Sequence, residues 1–287
     1  MFRTILCAAL VAAFFTAHAP LWAETAVIRH VWTVDTGLFE PESVAIDENH
    51  GAIYVSNVVG YGKNGQGYIS KLSMSGRVIA AKWIEGLDAP TGMVLFGEEL
   101  FFADFNMLKV ADVKTGEIVR EYPAPEVNPC FNDVAIASDG TVYISASCSQ
   151  KIYTLKDDTL VPLIEDSAAL KFVNGLYVAN NMLLSGGWQI WIWDRNTGKP
   201  LANGPVTRQA DVKDIDGVAW DGEAFIISMV DDTRLWRLGA DGVAAPISEE
   251  AFHAVDFQYD FVTGLLVMPR IIGESDHRVS AYRLSFQ

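Results

Sequence analysis

The sequence is poor in cysteine, in positive charge and in long hydrophobic runs. Among 287 residues there are 3 cysteines and 21 lysines and arginines against 36 aspartates and glutamates, and the formal net charge is −15. A surface this acidic repels phosphate backbones and no basic patch is visible, so nucleic acid is not expected as a partner. Half of the residues are hydrophobic, which is enough to bury a large core in one or two domains.

The one long apolar run lies at the N-terminus and has the pattern of an export signal. Arg3 supplies the positive charge, ILCAALVAAFF follows, and LWA before Glu24 is a cleavage site, with AHA ending at Ala19 as a second candidate. This run is too short to span a membrane, and no other segment is long enough. We expect a signal peptide at 1–23, a mature domain at 24–287, and a soluble protein in the periplasm or outside the cell.

Two cysteines remain after such a cleavage, Cys130 and Cys148, in the stretch NPCFNDVAIASDGTVYISASC. This stretch is typical of a hairpin closed by a two-residue Asp139-Gly140 turn. That turn sets Cys130 opposite Ser149, so a bridge to Cys148 requires a bulge or loosened pairing at the hairpin mouth. An oxidising compartment favours the disulfide, and two free buried thiols are the alternative.

The hairpin is one of six similar units that start about every 40 to 50 residues. Each unit is a strand, a tight turn rich in Gly, Asn or Asp, and a second strand, and most continue into a third; the units begin at Pro41, Pro90, Phe131, Val173, Ile215 and Val255. Four short strands in a unit of this length are typical of a β-propeller blade.

We therefore predict an all-β fold, a six-bladed β-propeller with four-stranded blades. The stretch 26–34 has no unit of its own and is expected to add the outer strand to the last blade, which closes the ring and removes its open edges. A solenoid, the alternative for such repeats, needs caps and no closing strand. A closed propeller needs no second copy, so we expect a monomer.

One polar position recurs at the start of the innermost strand of each unit, where a propeller surrounds one end of its central channel. We call these six positions the polar ring: Glu42, Thr91, Asn132, Asn174, Asp216 and Val255. Four of the six side chains are carboxylates or carboxamides, which are oxygen donors, and the lack of Cys and His argues against zinc or copper. A wide channel with such donors favours Ca²⁺, with another divalent cation as the alternative. Asx residues also cap strands by bonding to their own backbone, and that interpretation stays open.

The short motifs at these positions, PES, FND, VNG and IDG, resemble those of the family that includes gluconolactonases and regucalcin (senescence marker protein) and, more distantly, paraoxonases and diisopropyl fluorophosphatase. The resemblance covers essentially the whole mature chain. It implies metal-dependent hydrolysis of a lactone or related ester, in which the ion polarises the carbonyl. By motif, Glu42, Asn174 and Asp216 would hold the metal, Asn132 would contact metal or substrate, and Asp216 would also be the catalytic base.

Further residues near the polar ring are candidates for substrate contacts. Thr91 is a member of the ring, and His253 lies two residues before Val255, as Asp214 does before Asp216, so that these two could transfer a proton. A surface histidine is the alternative. The loop 57–67 is either a lid or a mobile surface loop. Aromatic residues could admit an apolar substrate or pack between blades: Phe39, Phe131, Phe172 and Trp188.

Two functional hypotheses follow. The Glu–Asn–Asn–Asp set favours a calcium-dependent hydrolase of a small lactone or ester. The alternative is a non-catalytic propeller that binds a peptide, a glycan or a protein partner, with a structural ion or none, because sugar-lactone members of the resembling family carry an arginine where this chain has Cys130. Propellers host both kinds of function.

No GxSxG, phosphate-loop or HExxH motif is present, and SGGW at 185–188 is interpreted as a strand end.

Overall fold

The computed structural model describes residues 25–247, 251–272 and 275–287, so the predicted signal peptide at 1–23 lies outside the described residues. Within these ranges all regular structure is β-strand. No helix that could cross a bilayer occurs in the described parts of the chain.

The strands form six antiparallel sheets, and five of them consist of neighbours in sequence. Blade one contains β2 (Pro41–Asp47), β3 (Ala52–Asn57), β4 (Gly67–Ser73) and β5 (Val78–Leu87). Blade two contains β6 (Pro90–Phe96), β7 (Glu99–Asp104), β8 (Met107–Asp112) and β9 (Ile118–Pro123). Blade three contains β10 (Phe131–Ile136), β11 (Val142–Ala146), β12 (Lys151–Lys156) and β13 (Thr159–Ile164).

Blade four contains β14 (Leu176–Ala179), β15 (Met182–Ser185) and β16 (Trp191–Asp194), and blade five contains β17 (Ile215–Trp220), β18 (Phe225–Met229), β19 (Asp232–Leu238) and β20 (Ala244–Pro246). Blade six contains β21 (Gln258–Asp260), β22 (Leu265–Ile272) and β23 (Asp276–Phe286), and its outer strand is β1 (Ala26–Val34). The predicted six-bladed propeller and its closure by the N-terminal strand are therefore confirmed.

Blade four departs from the predicted four strands. Where its outer strand would run, the described residues show an isolated bridge between Trp193 and Pro200 and scattered backbone bonds, such as those from Leu201 N to Ile192 O and from Asp194 N to Lys199 O, both at 2.8 Å. Proline has no N–H to donate to the ladder, so Pro200 interrupts the strand soon after it begins.

The hydrophobic core is divided among the contacts between neighbouring blades. Between blades two and three, for example, Phe101, Val110, Phe131, Ile144 and Tyr153 belong to one buried cluster. Phe131 is fully buried and packs edge-on against Tyr153 at 5.8 Å between ring centroids. Of the four aromatic residues noted in the sequence, Phe131 thus packs between blades. Phe39 and Phe172 are exposed by 44% and 53%.

The inner strands of four blades begin with a β-bulge, in which two residues oppose one on the next strand. The bulged pairs are 42–43, 91–92, 132–133 and 216–217. In blades one, three and five a serine hydroxyl on the second strand accepts the N–H of the second bulged residue, as Ser145 Oγ does from Asp133 N at 2.9 Å. The bulge makes two consecutive residues available at the channel instead of one.

In five blades, a non-glycine residue in the left-handed backbone conformation lies shortly before the position that belongs to the polar ring. These residues are Glu40, Cys130, Phe172, Asp214 and His253, with φ between 49° and 54°. Each lies two residues before a member of the polar ring, in blades four and six as well. Five of the six ring positions are therefore equivalent in backbone geometry as well as in sequence.

The predicted disulfide between Cys130 and Cys148 is formed, with their Cα atoms 5.2 Å apart. The predicted pairing of Cys130 with Ser149 is wrong, because the turn contains three residues, 138–140, and the bulge adds one more to β10. Cys130 O instead accepts from Ser147 N at 3.0 Å, and Cys148 N donates to Pro129 O at 3.1 Å. The loosened pairing that the bridge requires is thus present at the hairpin mouth.

Candidate functional site

Four carboxylates face one another across the channel, one from each of blades one, three, five and six. They are Glu42, Asp133, Asp216 and Asp256. Burial is the main cause that raises the pKa of each, and their mutual repulsion raises those of Glu42, Asp133 and Asp216 further. The pKa of Asp216 is raised to about 7 and that of Asp256 to about 6, by burial first in both cases. The channel therefore concentrates negative charge where water does not compensate it.

Two of the four carboxylates have both oxygens occupied by hydrogen bonds, and one bond of each carboxylate joins two blades. Asp133 accepts from Val134 N at 2.7 Å and from Leu176 N of blade four at 2.6 Å. Asp256 accepts from Phe257 N at 2.8 Å and from the Ser43 hydroxyl of blade one at 2.5 Å. Asp133 and Asp256 thus act as ties between neighbouring blades.

The other two carboxylates each keep one oxygen without a hydrogen bond. Glu42 Oε2 and Asp216 Oδ1 are both buried, and neither has a partner in the described structure. The side chain of Asn174 donates a hydrogen bond to Asp216, which lowers the pKa of Asp216 against the effect of burial. Burying a charged oxygen without a partner is costly, so this pair fits a bound cation.

The donor set fits a hard cation that prefers oxygen. Asp216 accepts a hydrogen bond from Asn174 and lies within electrostatic reach of Glu42; that these three residues and Asn132 hold a metal stays a prediction. In the part of the chain that is described, no three His, Cys, Asp or Glu side chains form a metal cluster by themselves. Amide and backbone carbonyl oxygens and water would complete the coordination, as is common for Ca²⁺.

The remaining predicted site residues have individual surroundings. Thr91 is buried, and its hydroxyl donates to Phe131 O at 3.3 Å, which joins blades two and three. His253 and Asp214 occupy equivalent positions, each with φ of 52°, but they form no ion pair among those that the described residues contain. The contacts of Thr91, Asn132 and His253 with a substrate stay predictions.

The loop between β3 and β4 reaches the channel end that carries the polar ring. Asn64 Nδ2 donates to Val59 O at 3.0 Å and to Gly60 O at 2.8 Å, and Gly60 N donates to Glu40 Oε2 at 2.6 Å, so side chains of Asn64 and Glu40 bond to the backbone of this loop. Burial and the charge of Glu42 raise the pKa of Tyr61. A phenol therefore lies within electrostatic reach of Glu42, which the sequence did not indicate.

The opposite end of the channel is a separate cavity of about 640 Å³. Apolar side chains such as Val134, Leu176 and Val218 share its lining with polar and charged groups, which include Asp133 and Asp256. The two carboxylates that tie blades together thus face this cavity, whereas the polar ring opens on the other face of the disc.

Gly175→Ala should destabilise the protein and weaken cation binding together. A Cβ on Gly175 would lie 2.1 Å from Asp216 O, which no side-chain adjustment relieves. We expect a loss of about 3 kcal/mol in the free energy of unfolding, as for severe overpacking. The comparison is Gly51→Ala, where no atom lies within 4 Å but φ is +61° and about 1 kcal/mol is expected. Equal losses in chemical denaturation would contradict the crowding argument.

Solved structures with a similar fold include enzymes of two kinds. A gluconolactonase from Xanthomonas campestris shares 16% sequence identity with a TM-score of 0.68, covering 94% of each chain. A virginiamycin B lyase from Staphylococcus aureus shares 12% at 0.62, covering 91% of this chain and 100% of its own. A streptogramin B lyase shares 14% at 0.61, covering 94% of this chain and 90% of its own.

At these identities the likeness establishes the fold alone. No protein-family model matches the sequence, and no curated protein is similar enough to count as a relative.

Proposed function

We propose that this propeller is an exported, calcium-dependent hydrolase of a lactone or related ester. The observation that carries the proposal is the pair of buried carboxylate oxygens without partners, Glu42 Oε2 and Asp216 Oδ1, at the end of the channel that carries the polar ring. Two such oxygens at one site are costly in an empty channel and favourable beside a divalent cation. The likeness in fold to a gluconolactonase is consistent with this choice of substrate class.

In this proposal the residues of the channel have separate roles in the reaction. Glu42, Asp216, Asn174 and Asn132 hold the ion. Bound calcium would polarise the carbonyl of the substrate and stabilise negative charge on its oxygen. Asp216 is the proposed base that takes a proton from the attacking water, and Thr91 and His253 are the proposed substrate contacts. The tied carboxylates Asp133 and Asp256 position the strands that carry these groups.

Export to the periplasm or the extracellular space is part of the proposal. The disulfide between Cys130 and Cys148 supports it, because disulfides persist in oxidising compartments.

The decisive experiment combines metal analysis with hydrolysis of a substrate panel by the mature chain 24–287. The panel contains gluconolactone, γ- and δ-lactones of increasing chain length, and phenyl acetate, each assayed with calcium and with a chelator. We expect one bound calcium per chain and turnover of at least one substrate that falls about 100-fold on chelation. Stoichiometric calcium with no turnover of any substrate would instead support the non-catalytic binding propeller.

The same assay also tests for elimination in place of hydrolysis. Elimination is considered because two of the proteins with a similar fold are lyases. In water enriched in oxygen-18, hydrolysis places the label in the carboxylate product. Elimination breaks the bond between the ester oxygen and the alkyl carbon and leaves the product unlabelled and unsaturated. Label in the carboxylate is the expected result, and an unlabelled alkene product would overturn the hydrolase proposal.

A further inference from the structure

The segment that follows β15 is built into the polar ring. Gly186 N donates to Gly175 O at 2.8 Å, Gly187 N donates to Ile215 O at 2.9 Å, and Ile215 N donates to Gly187 O at 2.7 Å. The end of β15 at Ser185 agrees with the interpretation of SGGW as a strand end. The next three residues, however, pair with the segments that carry Asn174 and Asp216.

Glycine is required for this close approach. Gly187 has φ of +114°, and a Cβ there would lie 2.6 Å from Phe172 O. Trp188, the next residue, is fixed by donation from its backbone N to Lys171 O at 2.9 Å. The backbone that carries this large aromatic side chain is thus fixed against the segments that lead to Asn174 and Asp216.

Two lysines lie against this one indole. Lys171 Nζ is 3.7 Å from the ring centroid of Trp188 and Lys213 Nζ is 4.9 Å from it. Lys171 lies three residues before Asn174, and Lys213 lies three residues before Asp216, so the two occupy the same position in consecutive blades. Trp188 accepts both cations because the face of its ring is electron-rich.

Neither lysine forms an ion pair with a carboxylate within the described ranges, whereas Lys109, Lys114 and Lys151 each pair with an acidic side chain. Phe172, 6.4 Å from Trp188 between ring centroids, is exposed by 53% and adds apolar surface to the same wall. Two ammonium groups and an exposed aromatic face therefore stand together on the face of the disc that carries the polar ring.

We propose that Lys171, Lys213 and Trp188 bind the carboxylate and the flat apolar body of the substrate. The proposed hydrolase would then act on an ester or lactone that also carries a carboxylate, and this inference rests on the proposed function. The net charge of −15 and the four channel carboxylates repel an anionic substrate. Local ammonium groups are needed to hold its carboxylate while the ester lies at the polar ring.

The test is a binding experiment that does not depend on turnover. The calcium-loaded protein is titrated with 4-fluorobenzoate and with its uncharged amide, 4-fluorobenzamide, and followed by fluorine NMR. We expect the benzoate to bind more tightly than the amide, and the double variant Lys171→Gln/Lys213→Gln to lose about tenfold or more in affinity for benzoate alone. Trp188→Leu should weaken the binding of both probes, because it removes the shared apolar contact.

The matched control is Lys156→Gln/Lys199→Gln, which changes the net charge equally at two exposed lysines and should leave both affinities unchanged. Equal loss in the two double variants would reduce the effect to overall charge and overturn the proposal. So would failure of benzoate to bind at about 10 mM, which corresponds to an affinity too weak for recognition.

Enzymatic assay separates this inference from the proposed function. With 4-acetoxybenzoate and 4-acetoxybenzamide as substrates, Lys171→Gln/Lys213→Gln should raise KM for the charged ester about tenfold and leave kcat and the neutral ester unaffected. If benzoate binds as expected and neither ester is hydrolysed, the anion site stands and the hydrolase proposal falls. If both esters are hydrolysed with the same KM, the hydrolase stands and the anion site falls.

Discussion

Asp216→Asn should lose tight calcium binding and yet melt at a higher temperature than the wild type when both are free of metal. The amide keeps the shape of the carboxylate but removes one of the buried negative charges that repel Glu42 and Asp256. Calcium affinity depends on the number of charged ligands, so we expect a decrease of about 100-fold or more. The metal-free variant should gain about 5 °C at pH 8, because a buried charge without a counter-ion destabilises the folded state.

Calorimetry and thermal melting with and without a chelator measure both effects. Glu42→Gln should behave in the same way, since Glu42 Oε2 is the other oxygen without a partner. Asp214→Asn is the control, because it removes the same charge two residues earlier without touching the ring. A metal-free Asp216→Asn protein that melts below the metal-free wild type would show that Asp216 has a stabilising partner and is no cation ligand.

The metal-free wild type should become more stable as the pH falls from about 8 to about 5. The pKa values of Asp216 and Asp256 are raised to about 7 and about 6 in the folded protein, whereas in the unfolded chain an aspartate stays ionised down to about pH 4. Between about pH 4 and about pH 7 the folded state therefore binds more protons than the unfolded chain. This stabilisation is fully present below about pH 4 and is lost as the pH rises through about 7.

Calcium reverses the trend, because protons and the cation compete for the same carboxylates. The increase in melting temperature caused by calcium should be largest at pH 8 and should shrink below pH 7. Melting curves at several pH values, with chelator and with calcium, measure both slopes, and Glu42→Gln/Asp216→Asn should flatten them. Maximal stability of the metal-free protein at pH 8 would contradict the charge cluster in the channel.

The sequence predicted the fold well because its six units repeat one alternation of apolar residues, so that every unit assigns equivalent strand positions to the core. It also assigned Glu42, Asn132, Asn174 and Asp216 to one position relative to that alternation, while their role as metal ligands stays a prediction. Equivalent backbone conformations at Asp214 and His253, with φ of 52° in both, show that the alignment of the units is correct at this point.

The sequence did not predict that Asp133 and Asp256 lie at the channel. Strict alternation assigns one residue per strand to the channel and sends its neighbour to the other face, so the predicted polar ring includes Asn132 and Val255 but not their neighbours Asp133 and Asp256. In blade three the bulge places Asp133 at the channel as a second residue, and Asp133 and Asp256 tie neighbouring blades together. Two polar residues in a row before an apolar strand, as in Asn132-Asp133, are the signal that could have indicated it.

The role of the SGGW segment also depends on contacts that no local pattern reveals. Trp188 meets Lys171 and Lys213 only because two neighbouring blades turn at the same level. Contacts of this kind come from packing between repeats, and the sequence of one repeat does not contain them.

The ring of blades is joined where β1 pairs with β23, and this joint has a mechanical consequence. Thr25 and Gln287, at the two ends of the described chain, exchange backbone hydrogen bonds of 2.9 and 3.1 Å. Successive blades follow one another along the chain, whereas blades six and one are joined by the β1–β23 hydrogen-bond ladder and the packing of β1 side chains such as Val34, with no peptide bond between β23 and β1. Tension applied to the N-terminus would therefore separate β1 from β23 first, and the disc would open at this seam while its other blades stayed intact.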